Sequence, residues 1–400
     1  MDRRIYWIWL QRCLSLGSLA MNRLFDCFGS LEAIYAAGEK QLQTVQLRPQ
    51  EYRKLTDKSL EEADRILKDM LHRGGWVLTP EDACFPDLLR QIDGFPAVLY
   101  GEGTFPNINR MPAMAVVGTR HPTDAGAQNA YCFAGGLAAA GMVIVSGGAL
   151  GIDAAAHTGA LDVGGNTVLV KAAPPEVEYP QANAALRKRI LQNGGAIVTE
   201  YPPNTPFYCD YHVRNRLLSG MSVGTCVAEA PARSGALITA NLAREQGRDV
   251  FAIPGIVADH LNDGAHQQIR KGAMLVTCAA DVLEEYTLRF PGILDREASD
   301  EVEKRLRRET PQRQAVKPPP TATKREEMQA QVADDTTIST AASATAAAQK
   351  LLAVLTAEPC PIDRIAKQAG LGIGETLVLL TELEILGCVK STAGQQYYKK

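Results

Sequence analysis

Between residues 113 and 277 the chain alternates short apolar runs with longer stretches whose apolar positions recur every three or four residues. The short runs are "MAVVG", "MVIVSGG", "NTVLVKAA", "AIVTEY", "TCVAEA", "DVFAIPG" and "AMLVT". Their interiors are apolar at consecutive positions, not at every second one. That pattern predicts strands of a parallel sheet covered by helices on both faces. The stretches between them, among them "AGAQNAYCFAGGLAAAG", "ANAALRKRILQNGG" and "SGALITANLAREQG", predict the covering helices. Together they predict a doubly wound α/β domain with a mostly parallel sheet. Such domains bind ligands outside the carboxyl ends of their strands, so function is sought there.

The flanks carry different patterns. Residues 1–75 read as a module of small helices, broken at Gly17, Gly29 and Gly38. The turn Leu16-Gly17-Ser18 fits either a helix-hairpin-helix that grips DNA phosphates or a plain packing turn. The apolar run Ile5 to Leu10 is only six residues long. A membrane span needs about twenty, so the run predicts a helix face and no membrane association. Residues 76–112 hold five prolines and two short strands, "WVLT" and "AVLY", and join the α/β domain to make a unit of 76–290. Residues 291–346 are charged, then Pro-rich, then rich in Ser, Thr and Ala, which predicts a flexible linker. Residues 347–400 read as three short helices and a β-hairpin, the order of a winged helix. Its presumed recognition helix, "ETLVLLTELEILG", is acidic, whereas a major-groove reader brings basic or amide side chains. A protein-interaction role is expected for it.

Charge and cysteines narrow the class. The net charge of −3 excludes a surface coated in positive charge but not a local basic site. The nine cysteines are scattered singly, with no Cys-x-x-Cys, and the six histidines make no metal spacing with them. Reduced thiols, no metal and a cytoplasmic location are expected.

The strand ends carry the candidate chemistry. Gly118-Thr119-Arg120 offers a backbone free to approach a phosphate, a hydroxyl and a guanidinium. It matches neither the dinucleotide fingerprint nor the phosphate loop of nucleotide hydrolases, and no cofactor is expected. Ser146-Gly147-Gly148 feeds a helix start, a natural anion site. Asp153 and His157 follow four apart on that helix; they fit an acid–base pair or a capping carboxylate with a hydrogen-bonded imidazole. After "TEY", Phe207, Tyr208 and Tyr211 precede Arg214-Asn215-Arg216. Arginines beside aromatic rings suit single-stranded nucleic acid, phosphates on the first and unpaired bases on the second. Ser234-Gly235 with Thr239 opens another helix, and Lys271 lies in "IRKGA". No catalytic set emerges from spacing, and the repetition of glycine, hydroxyl and arginine across the sheet edge points to a groove for several phosphates.

At these residues the chain resembles the DNA-processing protein A family (DprA, also called Smf). The signatures are "AVVGTR", "IVSGGALGIDAAAHTGAL", "YPQAN", "TEYPP", "RNRLLSGMS", "VAEAPARSGALITANLAREQGRDVFAIPG" and "IRKGA". The resemblance implies an extended Rossmann-like domain between a sterile-alpha-motif-like module and a winged helix. It also implies a non-enzymatic protein that binds single-stranded DNA, protects it during natural transformation, loads RecA and dimerises through the Rossmann domain. The resemblance implies a phosphate grip for Gly118, Thr119 and Arg120, and its further motifs match Arg214, Asn215 and Arg216 and, with Leu237, the candidates Ser234, Gly235 and Thr239. The chain departs from the family in having Leu150 and Gln181 where basic residues are usual, and "VKAAPP" where a glycine turn is usual, which brings in Lys171. The competing reading is a Rossmann-type nucleotide phosphoribohydrolase, for which "SVGTCVAE" and Glu229 are an incomplete signature.

Overall fold

The computed structural model describes residues 2–205, 211–309 and, further on, 351–352, 354–356, 360–370, 376, 379–380, 383, 389–392 and 396–399. The chain divides into two compact units, Met1–Pro311 and Gln312–Lys400.

The first unit is organised by a nine-stranded sheet. Its strands are β1 (Trp76–Leu78), β2 (Leu99–Gly103), β3 (Ala113–Val117), β4 (Val143–Ser146), β5 (Thr167–Val170), β6 (Ala196–Thr199), β7 (Gly224–Val227), β8 (Asp249–Ala252) and β9 (Met274–Leu275). They lie in the order β1-β2-β6-β5-β4-β3-β7-β8-β9. All pairs from β6 to β9 are parallel, and β1 and β2 join antiparallel at one end. Every residue of β3, β4, β5, β6 and β7 is buried, as uninterrupted apolar strands require. The chain steps outward from β3 to β6, then returns to the middle and steps out the other way through β7, β8 and β9. The reversal falls between β3 and β7, so their carboxyl ends diverge into a crevice.

The helical N-terminus is six helices between Arg4 and His72. Its core is aromatic, with Trp7 stacked on Phe25 at 5.4 Å and Trp9 edge-on to Tyr35 at 5.0 Å. That core runs on into Val77, Val98 and Tyr100, so the module and the sheet share buried surface. Gly17, at φ +70°, lies against the sheet domain: a Cβ there would sit 2.8 Å from Arg216 Nε. Of the two readings of that turn, packing is the one the contact supports.

The linker expectation fails at its start. Residues Arg296–Glu309 form a helix packed against the helix Asp124–Ala139. A Cβ on Gly135 would come 2.5 Å from Leu306 Cδ1, and one on Gly136 would come 3.2 Å from Glu303 Oε2 and 3.3 Å from Ser299 Oγ. Only a glycine face lets the backbones approach so closely. Leu306 is 3% exposed, and the buried Glu303 accepts from Ala279 N at 2.8 Å and pairs with Arg307 at 2.7 Å. A charged segment with one good apolar anchor reads as linker; its partner surface is what makes it a helix.

In the second unit the helix Ile362–Ala369 accompanies a three-stranded sheet of β10 (Cys360–Pro361), β11 (Val389–Thr392) and β12 (Gln396–Lys399), ordered β10-β12-β11. Leu351, Ile365, Leu380, Leu383 and Val389 form its core. Among the described residues no helix is long and apolar enough to cross a membrane, and no group of His, Cys, Asp or Glu is placed to hold a metal ion.

Candidate nucleic-acid interface

The crevice between the ends of β3 and β7 has a volume of about 580 Å³. Thr119 and Arg120 form one wall, Ser234, Gly235 and Thr239 another, and Tyr211, Arg214 and Asn215 a third. These residues stand far apart in sequence and meet here because each follows a strand end or opens a helix on that side of the sheet.

Gly118 is squeezed between Ile152 and the backbone of Glu229, where a Cβ would lie 2.5 Å from Ile152 Cγ1. Its bareness serves this junction, since Thr119 N donates to Glu229 O at 2.7 Å. Arg120 is exposed, and its guanidinium lies 4.8 Å from the Tyr211 ring centroid. Arg214 approaches the same ring at 5.7 Å. Tyr211 thus stands between two cations and presents a partly exposed ring to the crevice. The helix Ala236–Glu245 directs its amino end at the same space, with Ser234 Oγ accepting from Ala236 N at 3.3 Å.

Several expected contacts are placed elsewhere. Ser146 is fully buried and donates to Val116 O at 2.6 Å, because it closes β4 inside the sheet. Gly147 and Gly148 line a smaller pocket beside the crevice. Arg214 donates to Gly147 O at 2.8 Å and to Val170 O, clasping the ends of β4 and β5. Arg216 is buried against Glu200 at 2.5 Å, on the side of its helix that meets the N-terminal module. Two residues along a helix turn the side chain by about 200°, so Arg214 and Arg216 cannot share a target. Lys271 is exposed at the end of the helix Asp263–Arg270, which delivers the chain to the amino end of β9, away from the crevice. Phe207 and Tyr208 lie outside the described residues.

The two acidic candidates are engaged. Asp153 Oδ2 accepts from Gly147 N at 3.1 Å and Ala149 N at 3.2 Å; burial raises its pKa while the Arg214 charge pulls it down. His157 is fully buried, 2.7 Å from Thr167 Oγ1 through Nδ1, and burial pushes its pKa down to about 3. The imidazole is hydrogen-bonded as expected, but the carboxylate holds the loop before the helix and does not cap it, since the N-cap Gly151 receives no side-chain bond. Glu229, 2% exposed, accepts from Thr123 N at 2.7 Å and Thr123 Oγ1 at 2.5 Å, so both its oxygens hold the start of the helix Asp124–Ala139. Sequence reasoning missed that role and also missed His121 as a crevice residue; neither carries a local signal beyond its place after a strand end.

A family model described as DNA recombination-mediator protein A matches residues 76–287, more than half of the chain. The chain belongs to that family. A model of the DprA winged helix domain matches residues 336–395. This recombination-mediator family member is 31% identical over 393 residues to Protein Smf of Escherichia coli K12, covering 97% of this chain and 94% of that protein. It is 43% identical over 206 residues to DNA processing protein DprA of Streptococcus pneumoniae, covering 51% of this chain and 72% of that protein. The X-ray structure of DNA processing protein A from Streptococcus pneumoniae matches with a TM-score of 0.61 at 32% identity, covering 71% of this chain and 99% of that one. Leu150 and Lys171 both line the smaller pocket.

Proposed function

We propose that the crevice binds single-stranded DNA and that the protein acts as a recombination mediator, protecting the strand and passing it to RecA in transformation or recombination. The observation that carries this reading is Arg120 exposed over Tyr211 at the mouth of the switch-point crevice. A guanidinium takes phosphate, a ring takes an unpaired base, and a helix amino end favours anionic ligands. A duplex keeps its bases paired and withholds them from the ring, so the single strand is the better ligand. Relatives named as DNA processing proteins support the same class of substrate. Glu229 and Asp153 hold backbone N–H groups, which favours binding over hydrolysis.

The expected assembly is a homodimer through the Rossmann-like domain in the cytoplasm, where DNA and RecA meet. It is supported by the sheet edge at β9, where Met274 and Leu275 are exposed. The winged helix is expected to bind protein, in keeping with the acidic sequence "ETLVLLTELEILG".

Fluorescence anisotropy with labelled oligo(dT) and a matched duplex tests the reading. The single strand should bind more tightly, and affinity should fall with salt by a slope of about −0.7 per phosphate contacted. Arg120→Ala should weaken binding by tenfold or so, the size of one lost charged hydrogen bond, and should abolish stimulation of RecA strand exchange. Equal, negligible binding by both proteins at low salt would overturn it.

A further inference from the structure

The smaller pocket lies at the ends of β4 and β5, has a volume of about 60 Å³ and shares Arg120, Ala149, Tyr211 and Arg214 with the crevice. Its inner wall holds Lys171, only 6% exposed. An ammonium buried to that degree is costly unless an anion compensates it. The protein supplies little. Lys171 Nζ donates to Pro175 O at 2.8 Å, and among the described residues it makes no ion pair. Three carboxylates act on it through space, none by a salt bridge among the described residues: Glu102, then Glu176, which accepts from Asn204 N at 2.7 Å, and Glu178, which pairs with Arg187 at 3.4 Å. Arg214 adds a second buried cation to the same wall, and Gly147 and Gly148 leave the backbone bare beside it. Asp153 offsets the Arg214 charge through space, whereas at Lys171 burial outweighs the carboxylates and pushes the pKa down to about 8.

We propose that this pocket is a subsite for the terminal phosphate monoester of a strand held in the crevice, with Lys171 as its buried counter-charge. The inference rests on the single-stranded-DNA reading above. A phosphodiester inside a strand needs an entrance and an exit for its two nucleosides, and a cavity this small has room for a phosphate and little more. A strand end, or inorganic phosphate, meets that limit. The pocket opens where Tyr211 separates it from the crevice, so a strand stacked on that ring reaches it with its last phosphate.

The test compares oligo(dT) carrying a 5′-phosphate, a 3′-phosphate or hydroxyls at both ends, with wild type, Lys171→Met and Lys171→Gln. Wild type should bind one phosphorylated form roughly tenfold more tightly than the hydroxyl form, the size of one charge-assisted hydrogen bond. In both variants that ratio should fall to one, whatever the absolute affinity, with thermal melts confirming that the variants fold. Wild type binding all three oligonucleotides equally overturns the subsite and leaves the DNA reading standing. So does a ratio that persists in both variants. Inorganic phosphate separates the remaining cases. If no oligonucleotide binds but phosphate raises the melting temperature of wild type and of neither variant, the pocket is a free-phosphate site and the DNA reading falls. If phosphate has no effect either, both fall.

Discussion

Three arginines that look alike in sequence meet three different fates, and each fate implies its own mutant. Arg120 is exposed over a ring, Arg214 clasps two strand ends, and Arg216 sits in a buried pair with Glu200. Removing one partner of a buried ion pair strands the other, so Arg216→Ala should cost about 3–5 kcal/mol in urea unfolding. Arg120→Ala should change stability by no more than about 0.5 kcal/mol while losing DNA affinity. The sequence shows that arginines follow a strand end; it does not show which way each one faces, because that depends on helix phase and on a module some two hundred residues earlier. His157 gives a second, pH-dependent expectation. Its imidazole stays neutral in the fold down to about pH 3, whereas the unfolded chain takes up a proton below about 6.5. The unfolded state therefore binds more protons in that window, and stability should fall as the pH drops from 6.5. Between pH 6.5 and 5.5 the loss should approach about 1 kcal/mol in wild type and vanish from His157→Gln, read as the difference between their urea midpoints.

At the scale of elements, the parallel strands were plain because burial on both faces writes itself as an unbroken apolar run. The helix Arg296–Glu309 was hidden for the converse reason. Its fourteen residues are mostly charged, and the surface that orders it is a pair of glycines on another helix. No pattern within the segment reports a partner's missing side chains. Leu306→Ala should cost about 2–4 kcal/mol, the range for a buried leucine truncated in a packed site. A chain ending at residue 295 should melt below one ending at 311, whereas a flexible linker would leave the two alike. The candidate site was legible to the same degree as its elements. Strand ends and helix starts gave Thr119, Arg120, Tyr211 and Ser234, while Ser146, Arg216 and Lys271 were drawn in by residue type and are sent elsewhere by register and direction.

At the scale of the whole molecule, a protein with a net charge of −3 is expected to bind a polyanion only through local geometry. Its salt slope should therefore be shallow, set by a few phosphates at the crevice, and Arg120→Ala should reduce it by a measurable fraction in titrations at two salt concentrations. The sheet's two ends differ in a way that bears on assembly. At one end β1 leads straight out of the helix Glu61–His72, and Val77 is absorbed into the helical core. At the other, β9 presents Met274 and Leu275 outward. A slab sticky at both rims would polymerise, each newcomer offering a fresh rim to the next. One whose far rim is already sealed by its own chain can be joined once through a two-fold and then offers nothing further, so growth stops at a pair. In the dimer proposed above, the N-terminal helices would be a terminator, since they occupy the end of the sheet from which a filament would have to grow.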